Sequence, residues 1–167
     1  MQLLIVRHAV AEDKELFERT GQSDDLRPLT DEGKKRMRRV ARGLARMVEP
    51  DLLVSSPLVR AVQTGEILSK AFDLPLEPPV EALRPDKAPE AFGRWAATLK
   101  GKSMVAVVGH EPHLTRLVAW LTAGRPSVYM KLKKGGACLL EFDRLPRQSA
   151  GTLLWLAEPS QLADRSR

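Results

Sequence analysis

The sequence predicts an α/β fold, a three-layer α/β/α sandwich around a mostly parallel sheet. Two observations predict it: apolar runs suited to buried strands, such as "QLLIV" at 2–6 and "MVAVV" at 104–108, and stretches of helical periodicity that follow them. Such alternation implies right-handed crossovers with helices on both faces of one sheet. The 167 residues suffice for one core. We therefore expect one domain over 1–158 and a frayed tail over 159–167.

The first helix, expected over 29–48, is amphipathic. Thr30 is its expected cap, and apolar residues recur on one face at three- and four-residue spacing. Basic side chains fall mostly on the opposite face: Lys35, Arg38, Arg39, Arg42 and Arg46. We expect a solvated face, with docking of an acidic protein as the alternative. Nucleic acid is not an expected partner, because no aromatic residues interleave with the basic ones.

The next unit begins with a short strand at 52–54. We expect Ser56 to cap the helix that follows, Pro57 to occupy its first position and Phe72 to end it. The proline-rich stretch at 74–89 is interpreted as a short strand with a loop. This unit repeats the strand, turn and helix order.

The second half of the chain continues the alternation and then changes. Residues 89–101 are predicted to form a helix that Gly101 ends, followed by a central parallel strand at 104–108. Pro112 opens the next helix and Gly124 closes it. Two further strands, joined by a short polar link, are expected to be antiparallel: 135–143 and 151–158.

Composition limits the class of protein. The net charge of +6 favours anionic partners. No apolar run approaches the roughly 20 residues of a membrane span, so a membrane partner is not expected. Cys138 is the only cysteine, which excludes an intrachain disulfide and a cysteine-based metal site. With no secretion signal recognised at the N-terminus, we expect a cytoplasmic protein.

Cationic side chains stand where the predicted parallel strands end. Arg7 and His8 follow the first strand, and His110 follows the strand at 104–108. Arg60 lies one turn into the helix after the second strand. Because ligands bind beyond the carboxyl ends of parallel strands, we expect these four side chains to converge. Forked guanidinium groups suit phosphate oxygens, and an imidazole can attack phosphorus and carry the phosphoryl group.

Three motifs carry a resemblance to a known family. The segments "RHAVAED", "SSPLVRAVQTGE" and "VVGHEPHL" are similar, in order and strand context, to motifs of the histidine phosphatase superfamily. The short length, "LRPLTDEG" and "GGACLLEFD" resemble the small bacterial phosphohistidine phosphatases of the SixA type. The resemblance implies a phosphoglycerate mutase-like fold, His8 as a nucleophile that becomes phosphorylated, and Arg7, Arg60 and His110 as the phosphate pocket. It implies no metal and no other cofactor.

The general acid is an open assignment. The larger phosphatases and mutases of the superfamily place a carboxylic acid after the third strand, and Glu81 is the close candidate, with Glu111 an alternative by proximity to His110. His113 is expected not to face the phosphate but to lie behind the phosphate-binding residues or on the surface. A phosphohistidine releases imidazole, whose conjugate acid has a pKa of about 6.5, whereas a sugar oxygen needs a proton delivered.

Access to the site bears on substrate size. The span from 80 to 104 has no room for a large helical roof, so the site should be open to a protein-borne phosphohistidine. The polar stretch at 12–28 is expected to be a surface loop beside His8. A mobile lip in which Arg27 contacts phosphate or protein is the alternative.

Three functions follow from these features. The leading hypothesis is a metal-independent phosphatase that acts through His8 on phosphohistidine in a phosphotransfer protein. The second is a phosphomonoesterase for small molecules such as sugar phosphates, nucleotides or cofactor precursors, with Glu81 as acid. The third is a noncatalytic phosphate-recognition module, although a binder has no need for the nucleophile. The expected partner is a phosphorylated substrate, and both monomer and dimer remain open.

Overall fold

A computed structural model of the chain describes residues 1–127 and 129–163. Within these ranges the elements are β1 (Gln2–Arg7), α1 (Lys14–Glu18), α2 (Asp31–Ala45), β2 (Leu52–Ser55), α3 (Val59–Phe72), α4 (Pro89–Ala96), β3 (Met104–Gly109), α5 (His113–Ala123), β4 (Ala137–Phe142), β5 (Gly151–Ala157) and α6 (Pro159–Leu162). Single 3-10 turns occupy Asp24–Leu26 and Glu81–Leu83. In the described ranges, no helix combines the length and apolar character needed to cross a membrane.

The strands form one mixed sheet in the order β2-β3-β1-β4-β5. β1 and β2 pair with β3 in parallel, whereas β4 is antiparallel to both β1 and β5. The prediction of a mostly parallel core with antiparallel closing strands is therefore confirmed. The carboxyl ends of β1, β2 and β3 meet the amino end of β4 at one edge.

Alternate residues of β1 enter two separate cores. Leu3 and Ile5 pack into a cluster with side chains of α4 and α5, whereas Leu4 and Val6 pack into a cluster with side chains of α2 and α3. A strand whose successive side chains are all buried must be covered on both faces. This arrangement confirms the predicted three-layer α/β/α sandwich.

Helix α2 follows the sequence pattern closely. The Thr30 hydroxyl accepts a hydrogen bond from the Gly33 amide at 2.9 Å, which makes Thr30 the cap. The apolar face is buried through Met37, Val40 and Leu44, and the expected basic residues are exposed. The favourable alignment of cap and apolar face explains why this helix is predictable.

Three predicted elements differ from the structure. Helix α3 begins at Val59 without a side-chain cap, because the Ser56 amide still donates to Val108 at 2.9 Å and keeps the chain extended beside the sheet. Helix α4 ends at Ala96, and turns continue towards Gly101. In the stretch at 74–89, predicted as a short strand with a loop, only an isolated bridge joins Leu76 to β2 among the described residues, since the neighbouring prolines lack amide donors.

The prediction of a frayed tail from residue 159 is wrong for residues 159–162, which form a helical turn. Pro159–Leu162 forms α6, with reciprocal capping bonds between Glu158 and Gln161. Leu162 is buried in the same core cluster as the apolar face of α2. This buried contact and the capping bonds hold the turn in place. Residues 164–167 lie outside the described residues.

Candidate active site

An open cleft of about 660 Å³ lies at the sheet edge where the parallel strands end. The structure brings together there the four side chains predicted to converge: Arg7, His8, Arg60 and His110. Arg7 ends β1 and His110 follows β3, so the parallel register of these neighbouring strands places both at the same height. Arg60 reaches the cleft from the first turn of α3.

His8 is fixed by its backbone and by its ring. Its amide donates to Gly109 at 3.0 Å, and its carbonyl accepts from the Gly135 amide at 3.1 Å. The ring is 5% exposed, and Nδ1 lies 2.7 Å from the Ala9 carbonyl oxygen. Because a carbonyl oxygen only accepts, Nδ1 must carry the hydrogen in this contact. A neutral ring then has its lone pair on Nε2, the atom a nucleophile needs.

His110 lies beside His8, with the two ring centroids 5.1 Å apart and the ring planes inclined by 50°. Its Nε2 is 2.8 Å from the Ser56 hydroxyl. Within the described part of the chain, its buried Nδ1 has no hydrogen-bond partner. Ser56, predicted as a helix cap, is thus a contact of His110 instead.

Burial keeps both imidazoles neutral. Burial is the main cause that lowers the pKa of His8 to about 3. The hydrogen bond to the Ala9 backbone opposes this decrease, and the charges of Arg60, Arg7 and Lys134 add to it. The pKa of His110 is also far below its ordinary value, mainly through burial and then through His8 and Arg60. A neutral imidazole keeps its nucleophilic lone pair at physiological pH.

The two arginines have donors that the described protein atoms leave unpaired. Arg7 Nη1 donates to the Leu132 carbonyl at 2.7 Å, and Arg60 Nη1 and Nη2 donate to Asp24 at 2.8 and 3.1 Å. The buried Nε atoms of Arg7 and Arg60 have no partner among the described residues. Unpaired buried guanidinium hydrogens are costly unless an anion accepts them.

Asp24 was not among the sequence-predicted site residues. Its carboxylate binds Arg27 Nε at 2.7 Å as well as Arg60. Burial raises the pKa of Asp24, but the bond from Arg27 and the charges of Arg60 and Arg27 outweigh it, so the pKa is lowered. Arg27 itself lines the cleft, while its Nη1 donates to the Glu12 carbonyl at 2.8 Å. The segment predicted as a surface loop is therefore held beside the cleft by the hydrogen bonds of Asp24 and Arg27.

The structure does not bring Glu81 into the cleft. Its side chain is 73% exposed in the turn Glu81–Leu83 and lies 4.0 Å from the Arg84 guanidinium. Glu111 lines the cleft, but its carboxylate accepts bonds from the Thr115 hydroxyl at 2.6 Å and from the Leu132 amide at 3.2 Å. The turn directs the Glu81 side chain to solvent in this structure, and the role of Glu81 as acid stays a prediction.

His113 does not line the cleft, as expected, but it is not on the surface either. It is 1% exposed at the start of α5, and neither ring nitrogen has a partner in the described ranges. Burial lowers its pKa to about 4. The charge of Asp86 opposes this decrease, and the charge of Arg116 adds to it. The described residues contain no group of three or more His, Cys, Asp or Glu side chains placed to hold a metal ion.

Comparison with known proteins gives a family model and full-length relatives. The model of the histidine phosphatase superfamily (branch 1) matches residues 3–84. An uncharacterized protein of Picosynechococcus sp. is 33% identical over 169 residues, covering 97% of this chain and 99% of the relative. The structure of the protein histidine phosphatase SixA complexed with tungstate is 29% identical with a TM-score of 0.80, covering 97% and 99%. The alpha-ribazole phosphatase of Shigella flexneri shares the fold at 19% identity, with a TM-score of 0.72 and coverage of 95% and 97%.

Proposed function

This chain belongs to the histidine phosphatase superfamily and is a phosphatase, and we propose that its substrate is phosphohistidine in a phosphotransfer protein. In this proposal the phosphoryl group passes through His8 without a metal ion. The observation that supports this route through His8 is the contact between His8 Nδ1 and the Ala9 carbonyl, because this contact leaves Nε2 free to attack. The SixA structure, whose protein is named a protein histidine phosphatase, supports the substrate class.

Two displacements complete the reaction. His8 Nε2 attacks phosphorus in line, and the bond from phosphorus to the substrate imidazole breaks with its electron pair going to the leaving nitrogen, which takes a proton from solvent. Water then attacks phosphorus on the phosphorylated His8, and the bond from phosphorus to Nε2 breaks with its electron pair returning to Nε2. The protons of the attacking water stay with the departing phosphate or pass to solvent. Inorganic phosphate leaves, and His8 returns to the neutral form with hydrogen on Nδ1.

Charge stabilisation in both steps comes from Arg7, Arg60 and His110. Arg7 and Arg60 line the cleft, which puts their positive charge beside a bound phosphoryl group. Donors already in place when charge develops contribute most to catalysis. Two guanidinium groups supply the positive charge that metal ions supply in other phosphoryl-transfer sites, which supports a metal-independent reaction.

The position of Glu81 favours phosphohistidine over an alkyl ester. An alkoxide leaving group needs an acid within hydrogen-bond reach, and Glu81 is directed to solvent outside the cleft. An imidazole leaving group takes its proton near neutral pH without such help. The cleft is also open, as a protein-borne substrate requires.

The test is a turnover assay in the presence of EDTA with wild-type protein and His8→Ala. The substrates are a histidine-phosphorylated carrier protein and a panel of sugar, nucleotide and aryl phosphates. We expect turnover of the phosphoprotein, unaffected by EDTA and lost in the variant, together with an acid-labile phosphoryl group on the wild-type enzyme. Preference for one ester over the phosphoprotein, or inhibition by EDTA, contradicts the proposal.

A further inference from the structure

Lys134 lies next to the nucleophile because of the strand order. β4 is antiparallel to β1, so its amino end meets the carboxyl end of β1. The Gly135 amide donates to both the Arg7 and the His8 carbonyl oxygens at 3.1 Å, and the Arg7 amide donates to Gly136 at 3.0 Å. The backbone that follows Lys134 is therefore fixed directly against the backbone of Arg7 and His8.

The side chain of Lys134 lines the cleft together with Arg7 and His8. Among the described residues, no hydrogen bond or ion pair engages its ammonium group. The preceding residue differs: Lys133 Nζ donates to the Glu158 carboxylate at 2.8 Å, and Lys133 does not line the cleft. Two adjacent lysines thus have distinct surroundings, one paired beside α6 and the other directed to the active site.

The electrostatics of the cleft favour an anion near Lys134. Partial burial lowers the pKa of Lys134, and the charges of Arg7, Arg27 and Arg60 lower it further, with Asp13 opposing them. Asp24 is engaged by two arginines, and one oxygen of Asp13 accepts the Leu16 amide at 3.0 Å. The mutual repulsion of the cations is relieved when a phosphoryl group binds between them.

We propose that Lys134 is a catalytic residue whose ammonium group binds a phosphoryl oxygen during transfer to His8 and during hydrolysis. This inference rests on the proposed function and extends the group of cations beyond those named from the sequence. A lysine provides a mobile point charge on a four-carbon stem, which can follow the phosphoryl oxygens as phosphorus moves between the two nitrogens.

The experiment compares Lys134→Gln, Lys134→Arg and the matched control Lys133→Gln with the wild type. The measurements are kcat and KM on the histidine-phosphorylated carrier protein and the affinity for inorganic phosphate by calorimetry. We expect Lys134→Gln to lower kcat by about 100-fold to 1000-fold, as for loss of one charge-stabilising donor, and to weaken phosphate binding. Lys134→Arg should recover most of both, and Lys133→Gln should stay within twofold of the wild type.

The outcomes separate the two proposals. If the wild type turns over the phosphoprotein and Lys134→Gln matches Lys133→Gln in kcat and phosphate affinity, the role of Lys134 is rejected and the proposed function stands. If the wild type does not turn over the phosphoprotein, the proposed function fails, and weaker phosphate binding in Lys134→Gln still supports an anion contact at Lys134. Melting temperatures within a few degrees of the wild type confirm that each variant is folded.

Discussion

Asp24 holds the guanidinium group of Arg60 through two of its own oxygens. Arg60 Nη1 donates to the Asp24 carbonyl at 2.8 Å, and Nη2 donates to Oδ2 at 3.1 Å. The other carboxylate oxygen accepts Arg27 Nε at 2.7 Å. One acidic residue outside the sheet therefore orients two cations of the cleft.

Asp24→Asn should lower kcat/KM by about 10-fold, because a charge-assisted bond to Arg60 is replaced by a weaker one. The loss should fall mainly on kcat, since removal of the negative charge leaves the cleft more attractive to phosphate. Asp25→Asn is the matched control, because Asp25 binds Arg84 at 2.7 Å instead of Arg60. Steady-state kinetics on the same phosphorylated substrate measures both variants. Equal losses in the two variants contradict a specific role for Asp24.

Thr64 links the nucleophile to the helix that carries Arg60. Its hydroxyl accepts the Ala9 amide at 3.1 Å and donates to the Arg60 carbonyl at 2.7 Å. Thr64→Val leaves the buried amide without its partner, so we expect a loss of about 1–3 kcal/mol in the free energy of unfolding, together with lower kcat. Thr64→Ser should retain most of both. Urea unfolding and kinetics give the comparison, and a fully stable, active Thr64→Val would disprove the link.

The protonation state of His8 is open to direct measurement. Burial lowers the pKa of His8 to about 3, so the ring should stay neutral from pH 5 to 8. The contact with Ala9 places the hydrogen of the neutral ring on Nδ1. Nitrogen-15 NMR of the imidazole should show an unprotonated Nε2 whose chemical shift is constant over that range. His8→Ala assigns the resonance. Titration of this nitrogen near pH 6.5 would show that His8 is solvated and has an ordinary histidine pKa.

Stability should decrease as pH falls below about 6.5, the ordinary histidine pKa. The folded-state pKa of His113 is lowered to about 4, so between these values the unfolded chain binds a proton that the folded chain does not. The cost approaches about 1.4 kcal/mol per pH unit for this one group. His113→Leu should reduce the difference between urea unfolding at pH 7 and pH 5. An unchanged difference would indicate that His113 is hydrated in the folded protein.

The convergence of Arg7, His8 and His110 was predictable because parallel neighbouring strands end at one edge, whatever their separation in sequence. Arg60 follows from the same rule through the helix after β2. The rule does not find Lys134, because this residue precedes a strand instead of following one. The antiparallel direction of β4 is what brings Lys134 to the site. Sequence periodicity does not reveal which neighbour of a central strand runs in reverse.

Two other differences arise from local geometry. Ser56 and Pro57 form a typical helix start, but pairing of the Ser56 amide with β3 delays α3 and leaves the hydroxyl beside His110. Asp24 lies in a polar segment without periodicity, and its pairing with Arg60 depends on tertiary contacts. Glu81 is near the site in sequence order, yet a single turn points its side chain away from the cleft.

The central position of β1 has a consequence for hydrogen exchange. This strand is bonded along both edges, and the His8 amide adds a bond to β3. Its amides should exchange only when the whole sheet opens. The turn Asp24–Leu26 is held beside the cleft by side-chain bonds, so its amides should exchange through a local opening that needs less free energy. The backbone that carries His8 should therefore keep a constant position, while the turn beside the already open cleft undergoes local opening more often.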